Sequence, residues 1–298
     1  MHKLMLTNPE CKVPEFDKAP WDEMVLITPQ NSVCNAWNRL SVCKHCARTG
    51  NVLYIFDAED TIGDSGLSLN MEQKVVMAGM KLSDSKESNG TKKLAHRLEV
   101  VIGMKFIITL NLAMAADLAN GSRGTITNII LDPREDMAMN ETNSSGKCWL
   151  QYPPAIILFK PLHYKFEPFL NLEPGVILIF PSEVMFNIYY HNDPKTKIRR
   201  RQYALSTGYA FTDHKSQGQT LEHVVIDIGP TKWFLVDPFA AYVALSRSRG
   251  CKTIRLLQDF DPSIFTKHPS EALRLEDEHL NNMAEETSVK FKAGCYKF

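Results

Sequence analysis

The residues with the richest chemistry lie in "FTDHKSQGQTLEHVVIDIG", residues 211 to 229. Lys215 offers a compact cation suited to a phosphate oxygen. Ser216 and Thr220 offer hydroxyls, Gln217 an amide that both gives and accepts, and Gly218 a backbone that a ligand can approach closely. Backbone N–H groups at a following helix start would add partial positive charge. Such a cluster suits a phosphate-holding loop, and it suits an ordinary polar loop equally well.

Two further stretches carry concentrated charge. In "AYVALSRSRG", 241 to 250, Arg247 and Arg249 follow an apolar helix face read from Tyr242, Val243 and Leu245. An arginine at a helix end is commonly a partner of the helix dipole. It can also be a finger on a transferring phosphoryl group, where its planar fork neutralises developing charge. In "KTKIRRR", Lys195 to Arg201, the residues Arg199, Arg200 and Arg201 can grip nucleic-acid phosphates or serve as a nuclear address. They can equally keep an edge strand soluble.

Metal chemistry finds little support. Of seven cysteines the close pair is Cys43 and Cys46 in "CKHC", with Cys34 upstream. A structural zinc wants four ligands, usually two such pairs, so free thiols near a helix end are expected and no metal is assigned. Scattered, odd-numbered cysteines fit a reducing compartment. The sequons at Asn140 and Asn143 are then idle. No nucleophile-and-base constellation points to an unrelated α/β enzyme.

Composition sets the frame for these residues. The chain has 298 residues, 44% hydrophobic and 23% charged, enough to bury a sizeable core. Lys plus Arg equals Asp plus Glu, 34 each, which argues against a polyanion-coating protein but not against local basic clefts. No apolar run has the length of a membrane span, and the N-terminus lacks an apolar signal core, so an intracellular, non-secreted protein is expected.

The elements alternate in texture. "MVLIT", 24 to 28, is a short apolar strand running into a helix, with Thr28 as N-cap, Pro29 at the first turn, and Val33, Trp37 and Leu40 at helical spacing. "NVLYIF" reads as a strand, "LSLNMEQKVVMAG" as a helix and residues 83 to 93 as a polar loop. From 103 to 203 many short strands with turns between them predict a small barrel, with a mobile loop around "DPREDMAMNETNSSGK". Trp149, Tyr152 and Phe159 there can stack on bases or simply fill the barrel. From 204 the α/β texture returns. "HVVIDIG" reads as a strand covered on both faces, Asp237 and Pro238 open a helix, "TIRLL" is another strand, and an acidic helix forms the tail.

Together these stretches resemble the second RecA-like half of a superfamily 1B DNA helicase of the Pif family (petite integration frequency), near RecD. "TDHKSQGQTL" resembles motif V, "AAYVALSRSRG" motif VI, and "GMKFIITLNLAMAADLANGSRGTI" the opening of the inserted Src-homology-three-like barrel. "LITPQNSVCNAWN" resembles motif IV, with Asn31 in its turn. The wording is closest to the Pif-like helicases of Helitron transposons. The resemblance covers roughly 24 to 260. It implies an α/β, RecA-like (P-loop NTPase-type) parallel-sheet domain with an inserted small β-barrel. The implied divisions are an extension 1–23, RecA-like segments 24–102 and 204–260, a barrel 103–203 and a helical tail 261–298.

By the same resemblance Thr212, His214 and Lys215, with Ser216 nearby, would hold single-stranded DNA. Gln217 and Gly218 would face the nucleotide, Thr220 would lie toward its ribose, and Arg247 would be the arginine finger on ATP with Mg2+. Asp213 departs from the family's apolar residue and places a carboxylate beside Lys215. A 5'-to-3' helicase motor is implied, with a non-catalytic single-strand-binding or helicase-associated module as the alternative. The phosphate loop G-x-x-x-x-G-K-[ST] does not occur in this sequence; "RGCKT", "NGTKK" and "SGKC" all lack its spacing. The expectation is therefore half a motor, truncated or split, with negligible ATP hydrolysis alone and a phosphate-loop half supplied in trans.

Overall fold

The computed structural model describes residues 1–81, 94–114, 118–136, 146–164, 172–188, 196–230, 236–266 and 271–294. The expected polar loop at 83–93 and the sequon residues Asn140 and Asn143 lie outside them, as does most of the loop after Asp136. The chain forms two compact units, one from Met1–Pro29 with Ser216–Phe298, the other from Gln30–Lys215.

In the first unit β1 (Val25–Ile27), β15 (Val224–Ile226) and β16 (Ile254–Leu256) run parallel, with β15 in the middle. Every residue of β1 and β15 is buried, as continuous apolar runs covered on both faces must be. The first residues are no loose extension. Met5 bridges to Leu256 and Leu6 N–H donates to the Leu256 carbonyl at 2.9 Å, so the segment closes the β16 edge. Trp21 packs edge-on against His223, and the Arg255 guanidinium lies 5.0 Å over the Trp21 ring.

Thr28 does not cap a helix. Its hydroxyl donates to the buried Asp227 carboxylate at 3.0 Å, and the helix starts only at Asn31 after Gln30. Gln258 Nε2 and Gly229 N–H complete the shell of Asp227 at 2.8 and 3.2 Å. The residues just past the carboxyl ends of all three parallel strands are thereby stitched together.

Farther along the chain, α4 (Pro238–Leu245) begins at Asp237 with Pro238 in its first turn, as expected. Its buried residues are Ala241, Val243 and Ala244, while Tyr242 is 69% exposed, so Tyr242 does not belong to the packed face. Each helical step turns about 100°, which carries position 242 away from the core that 241 and 244 share. The acidic helix α5 (Glu271–Lys292) buries none of its residues.

The second unit opens with α1 (Asn31–Thr49), which ends in a left-handed Gly50 whose N–H returns to the Cys46 carbonyl. Its inward face is Cys34, Val42 and His45; Leu40, expected inside with Val33 and Trp37, is 69% exposed. A reciprocal capping box starts α2 (Met71–Lys81): Asn70 N–H donates to Gln73 Oε1 and Gln73 N–H to Asn70 Oδ1, both at 2.8 Å.

Three sheets follow. The largest orders β10 (Ile177–Ile179), β9 (Ile156–Pro161), β7 (Arg123–Ile130), β6 (Lys105–Ile108) and β13 (Leu205–Thr207), all antiparallel. Phe106, Ile126, Phe159 and Leu205 form its core face, which settles Phe159 as a packing residue. A bulge between Ile126 and Asn128 bends β7. A smaller sheet sets β2 (Leu53–Asp57) between β5 (Arg97–Val100) and β8 (Lys147–Leu150).

The third sheet is β11 (Ser182–Ile188), β12 (Thr196–Gln202), β3 (Glu59–Ile62) and β4 (Leu67–Ser68). Strand β2 pairs with β8 and β3 with β12, so strands from before and after residue 103 share sheets within the unit Gln30–Lys215. The basic strand β12 is interior, flanked by β11 and β3, and not an edge.

Candidate functional site

The opening stretch resolves into a short strand β14 (Ala210–Phe211), one turn of helix α3 (Asp213–Ser216) and a tight turn at Gln217–Gly218. Gly218 has φ +73°, the left-handed conformation that lets the chain leave the helix, and open space surrounds the position a Cβ would take. Gln219 N–H closes the turn on the Ser216 carbonyl at 3.0 Å.

His214, Lys215, Gln217, Gly218 and Thr220 are exposed, and Thr212 is half-buried. Ser216 is fully buried, so its hydroxyl is not offered to a passing strand. Asp213 and Lys215 lie two apart on the same helical turn.

In the first unit the two predicted motifs are fastened together. Leu221 N–H donates to the Arg247 carbonyl at 3.0 Å, and Leu221 bridges Ser248 in parallel. The half-buried Arg247 side chain is fixed as well. Its Nε donates to the Val243 carbonyl at 2.9 Å, Nη1 to the Gln219 carbonyl at 3.3 Å and Nη2 to Ser246 Oγ at 2.7 Å. Arg247 thus satisfies a carbonyl at the end of α4 and holds the Gln217–Thr220 turn at once. Arg249 pairs on the surface with Glu222 at 2.8 Å.

The basic run behaves differently. Arg200 is 1% exposed, bidentate on Asp60 at 2.8 and 2.9 Å, and also donates to the Leu94 carbonyl at 3.2 Å. Arg201 pairs with Glu59 and Arg199 with Asp64. The register sets this up, with Arg200 opposite Asp60 and Arg201 opposite Glu59 on β3. Arg200 therefore cannot meet a phosphate without abandoning a buried carboxylate. Arg134 extends the network, bonding Asp132 and Glu59 and lying 4.0 Å over the Tyr152 ring. Its guanidinium holds the Asp132 carboxyl down at about 2. Trp149 remains half-exposed with Arg97 stacked 4.9 Å above it.

Sequence reasoning passed over several residues next to the loop. Asn38 and Cys34 on α1 hydrogen-bond the Tyr209–Ala210 backbone. Burial pushes the Cys34 thiol up, with Lys215 drawing it partly back. Lys105 and Arg123 lie 5.9 Å and 5.8 Å over the rings of Tyr209 and Phe211. Cys34, Val42 and His45 set the buried face of α1, and the half-buried Asn38 lies on it one turn after Cys34.

Among the described residues no group of three or more His, Cys, Asp or Glu is placed to hold a metal ion. For a nucleotide the exposed Gln217, Gly218 and Thr220 beside the held Arg247 supply donors suited to one side of a polyphosphate. No described helix is long and apolar enough to cross a membrane.

No family model matches the chain. Among curated proteins, the ATP-dependent DNA helicase PIF1 of Homo sapiens is 44% identical over 65 residues, 22% of this chain and 9% of that protein. Its Danio rerio counterpart is 25% identical over 168 residues, 56% of this chain and 20% of that protein.

Among solved structures, the Pif1 helicase of Candida albicans superposes with a TM-score of 0.54 at 18% identity, covering 92% of this chain and 52% of that one. Bacteroides Pif1 bound to single-stranded DNA gives 0.52 at 15% identity, covering 89% and 47%. This chain thus spans about half the length of those structures and a smaller share of the curated relatives. In sequence over part of its length, and in fold over most of it, it is similar to the Pif1 DNA helicases.

Proposed function

We propose that this chain is the strand-holding part of an ATP-dependent, 5'-to-3' DNA helicase motor. Thr212, His214 and Lys215 hold the backbone of single-stranded DNA. Gln217, Gly218 and Thr220 face the nucleotide, and Arg247 is the finger that neutralises charge developing on the γ-phosphate. The supporting observation is the junction in the first unit, where the turn after α3 is tied through Leu221 and Gln219 to Arg247. A movement of that arginine would be felt by the turn directly downstream of the strand-holding residues.

The relatives' names support DNA as the ligand, and the Bacteroides enzyme has been solved with ADP-AlF3 and single-stranded DNA. In this reading the parallel sheet belongs to a RecA-like half, residues 103–203 to a small inserted barrel, and the protein works where DNA is, in a nucleus. The Helitron-like wording makes a transposon origin part of the proposal.

The phosphate loop and the magnesium carboxylates would come from sequence outside this stretch, on the same or another polypeptide. When bound there, ATP would supply the phosphoryl group whose hydrolysis drives stepping. This chain's share is to hold the strand and present Arg247.

The test is salt-dependent binding of a fluorescent oligonucleotide by the purified chain, followed by ATP hydrolysis after a phosphate-loop-bearing Pif1 half is added. Binding that weakens with salt, with hydrolysis appearing only in the mixture and lost in Arg247→Ala, is expected. Hydrolysis by the chain alone would overturn the division of labour. Binding with no hydrolysis in any mixture would favour the second reading, a non-catalytic single-strand-binding module; the absent G-x-x-x-x-G-K-[ST] is the observation behind it.

A further inference from the structure

The ladder that carries the chain toward Thr212 ends early. β13 pairs with β6 from Leu205 to Thr207, and Gly208 N–H makes one more bond to the Lys105 carbonyl at 3.0 Å. The next residues turn off that sheet, and at this point the side chain of Asn38 takes over. Its Oδ1 accepts from Tyr209 N–H at 3.2 Å and Ala210 N–H at 2.9 Å, while its Nδ2 donates to the Ala210 carbonyl at 3.1 Å. Cys34, one helical turn earlier, donates its Sγ–H to the same carbonyl at 3.2 Å. The amide of Asn38 does here what a neighbouring strand's peptide would do, accepting and donating along one edge.

We propose that Asn38 is a positioning residue for the nucleic-acid-holding loop, setting the direction in which Thr212, His214 and Lys215 leave β14. The inference rests on the reading of that loop as the DNA contact. Its chemistry is specific. Ala210 is buried, so its N–H and carbonyl need partners, and an apolar substitute at position 38 strips the Asn38 bonds away. Between the clasp and the exposed cations lie only Phe211, Thr212 and Asp213. A reorientation at Ala210 is therefore passed to Lys215 over a short stretch of chain. An Asn side chain has one rotatable bond fewer than Gln, which makes it the shorter and stiffer of the two amides for this clasp.

The experiment compares wild type, Asn38→Leu and Asn38→Asp by amide hydrogen exchange and by anisotropy with a fluorescent oligo-dT. In Asn38→Leu the Tyr209 and Ala210 amides should exchange at least about tenfold faster while Ile126 and Phe159 hold their protection. Asn38→Asp keeps the acceptors for Tyr209 and Ala210 and should restore most of the protection at those two amides.

Oligonucleotide affinity should fall by about five- to tenfold in Asn38→Leu, and the further loss from Lys215→Ala should shrink in that background. Exchange that rises equally throughout the molecule, or full additivity of Asn38→Leu with Lys215→Ala, would overturn the proposal. If wild type binds no oligonucleotide, the helicase reading fails, while unchanged exchange at Tyr209 and Ala210 in Asn38→Leu would still reject the positioning role by itself.

Discussion

Two cationic stretches lie within a short run of the chain, and they have opposite fates. Arg199–Arg201 is turned into an ion-paired strand in the middle of a sheet. His214 and Lys215 are lifted into solvent on a single helical turn. In sequence the first looks like the stronger nucleic-acid grip. What reverses the order is the facing strand: Glu59 and Asp60 stand opposite Arg201 and Arg200, and their distance in sequence hides the match. Cation density shows where charge is available; only the pairing shows where it is unspent.

The comparison can be broken most forcefully at Arg200. Arg200→Ala should cost about 3–5 kcal/mol in urea unfolding, because Asp60 is left charged and buried. Replacing both, Arg200→Met with Asp60→Leu, should recover most of that loss. If the single variant unfolds like wild type, the strand is not held by this pair.

Acid titration is the next test. Asp132 is held at about 2 by Arg134, below its ordinary value near 4, so its contribution is present above pH 4 and fades as pH falls toward 2. The stability gap between wild type and Asp132→Asn should be full at pH 6 and gone near pH 2. A gap of unchanged size at pH 2 would mean the carboxylate's charge is not what Arg134 rewards.

A smaller stability effect but a larger functional one is expected at the loop. Lys215→Ala should leave unfolding within about 0.5 kcal/mol of wild type, since the side chain is exposed. It should weaken oligonucleotide binding and lower the log–log salt slope by about 0.7, one single-strand phosphate contact. An unchanged slope would remove Lys215 from the interface.

The smallest change should come from Arg201→Ala. Its partly exposed pair with Glu59 is worth at most about 1 kcal/mol, and oligonucleotide affinity should not move. A marked loss of affinity there would erase the contrast between the two stretches.

These contrasts also show how far the sequence reaches. The strands β1 and β15 were legible because "VLI" and "VVI" are apolar without alternation, which full burial demands, while β16 alternates around the half-buried Arg255. The bonds that join the two stretches, from Leu221 to the Arg247 carbonyl and from Arg247 to the Gln219 carbonyl, end on backbone atoms and were not legible in the sequence. Thr28 was misread because Thr-Pro before a helical pattern is a cap signal, whereas a buried Asp227 nearly two hundred residues away claims the hydroxyl. Tyr242 was assigned inward on apolarity, and helical phase overruled it; Leu40 was assigned by its spacing from Val33 and Trp37, but the buried face of α1 runs through Cys34, Val42 and His45 instead. Asn38 escaped notice because its partners are backbone atoms, which leave no trace in side-chain pattern.

The hydrogen bond from Leu6 to Leu256 has a practical consequence for handling the molecule. A version trimmed to start at Val25 would keep every motif residue yet uncover the open flank of β16. That flank is a row of unsatisfied amides and carbonyls, ready to recruit a second chain. Such a truncation invites clumping during purification, and a measured loss of solubility would then report a missing selvage rather than a damaged site.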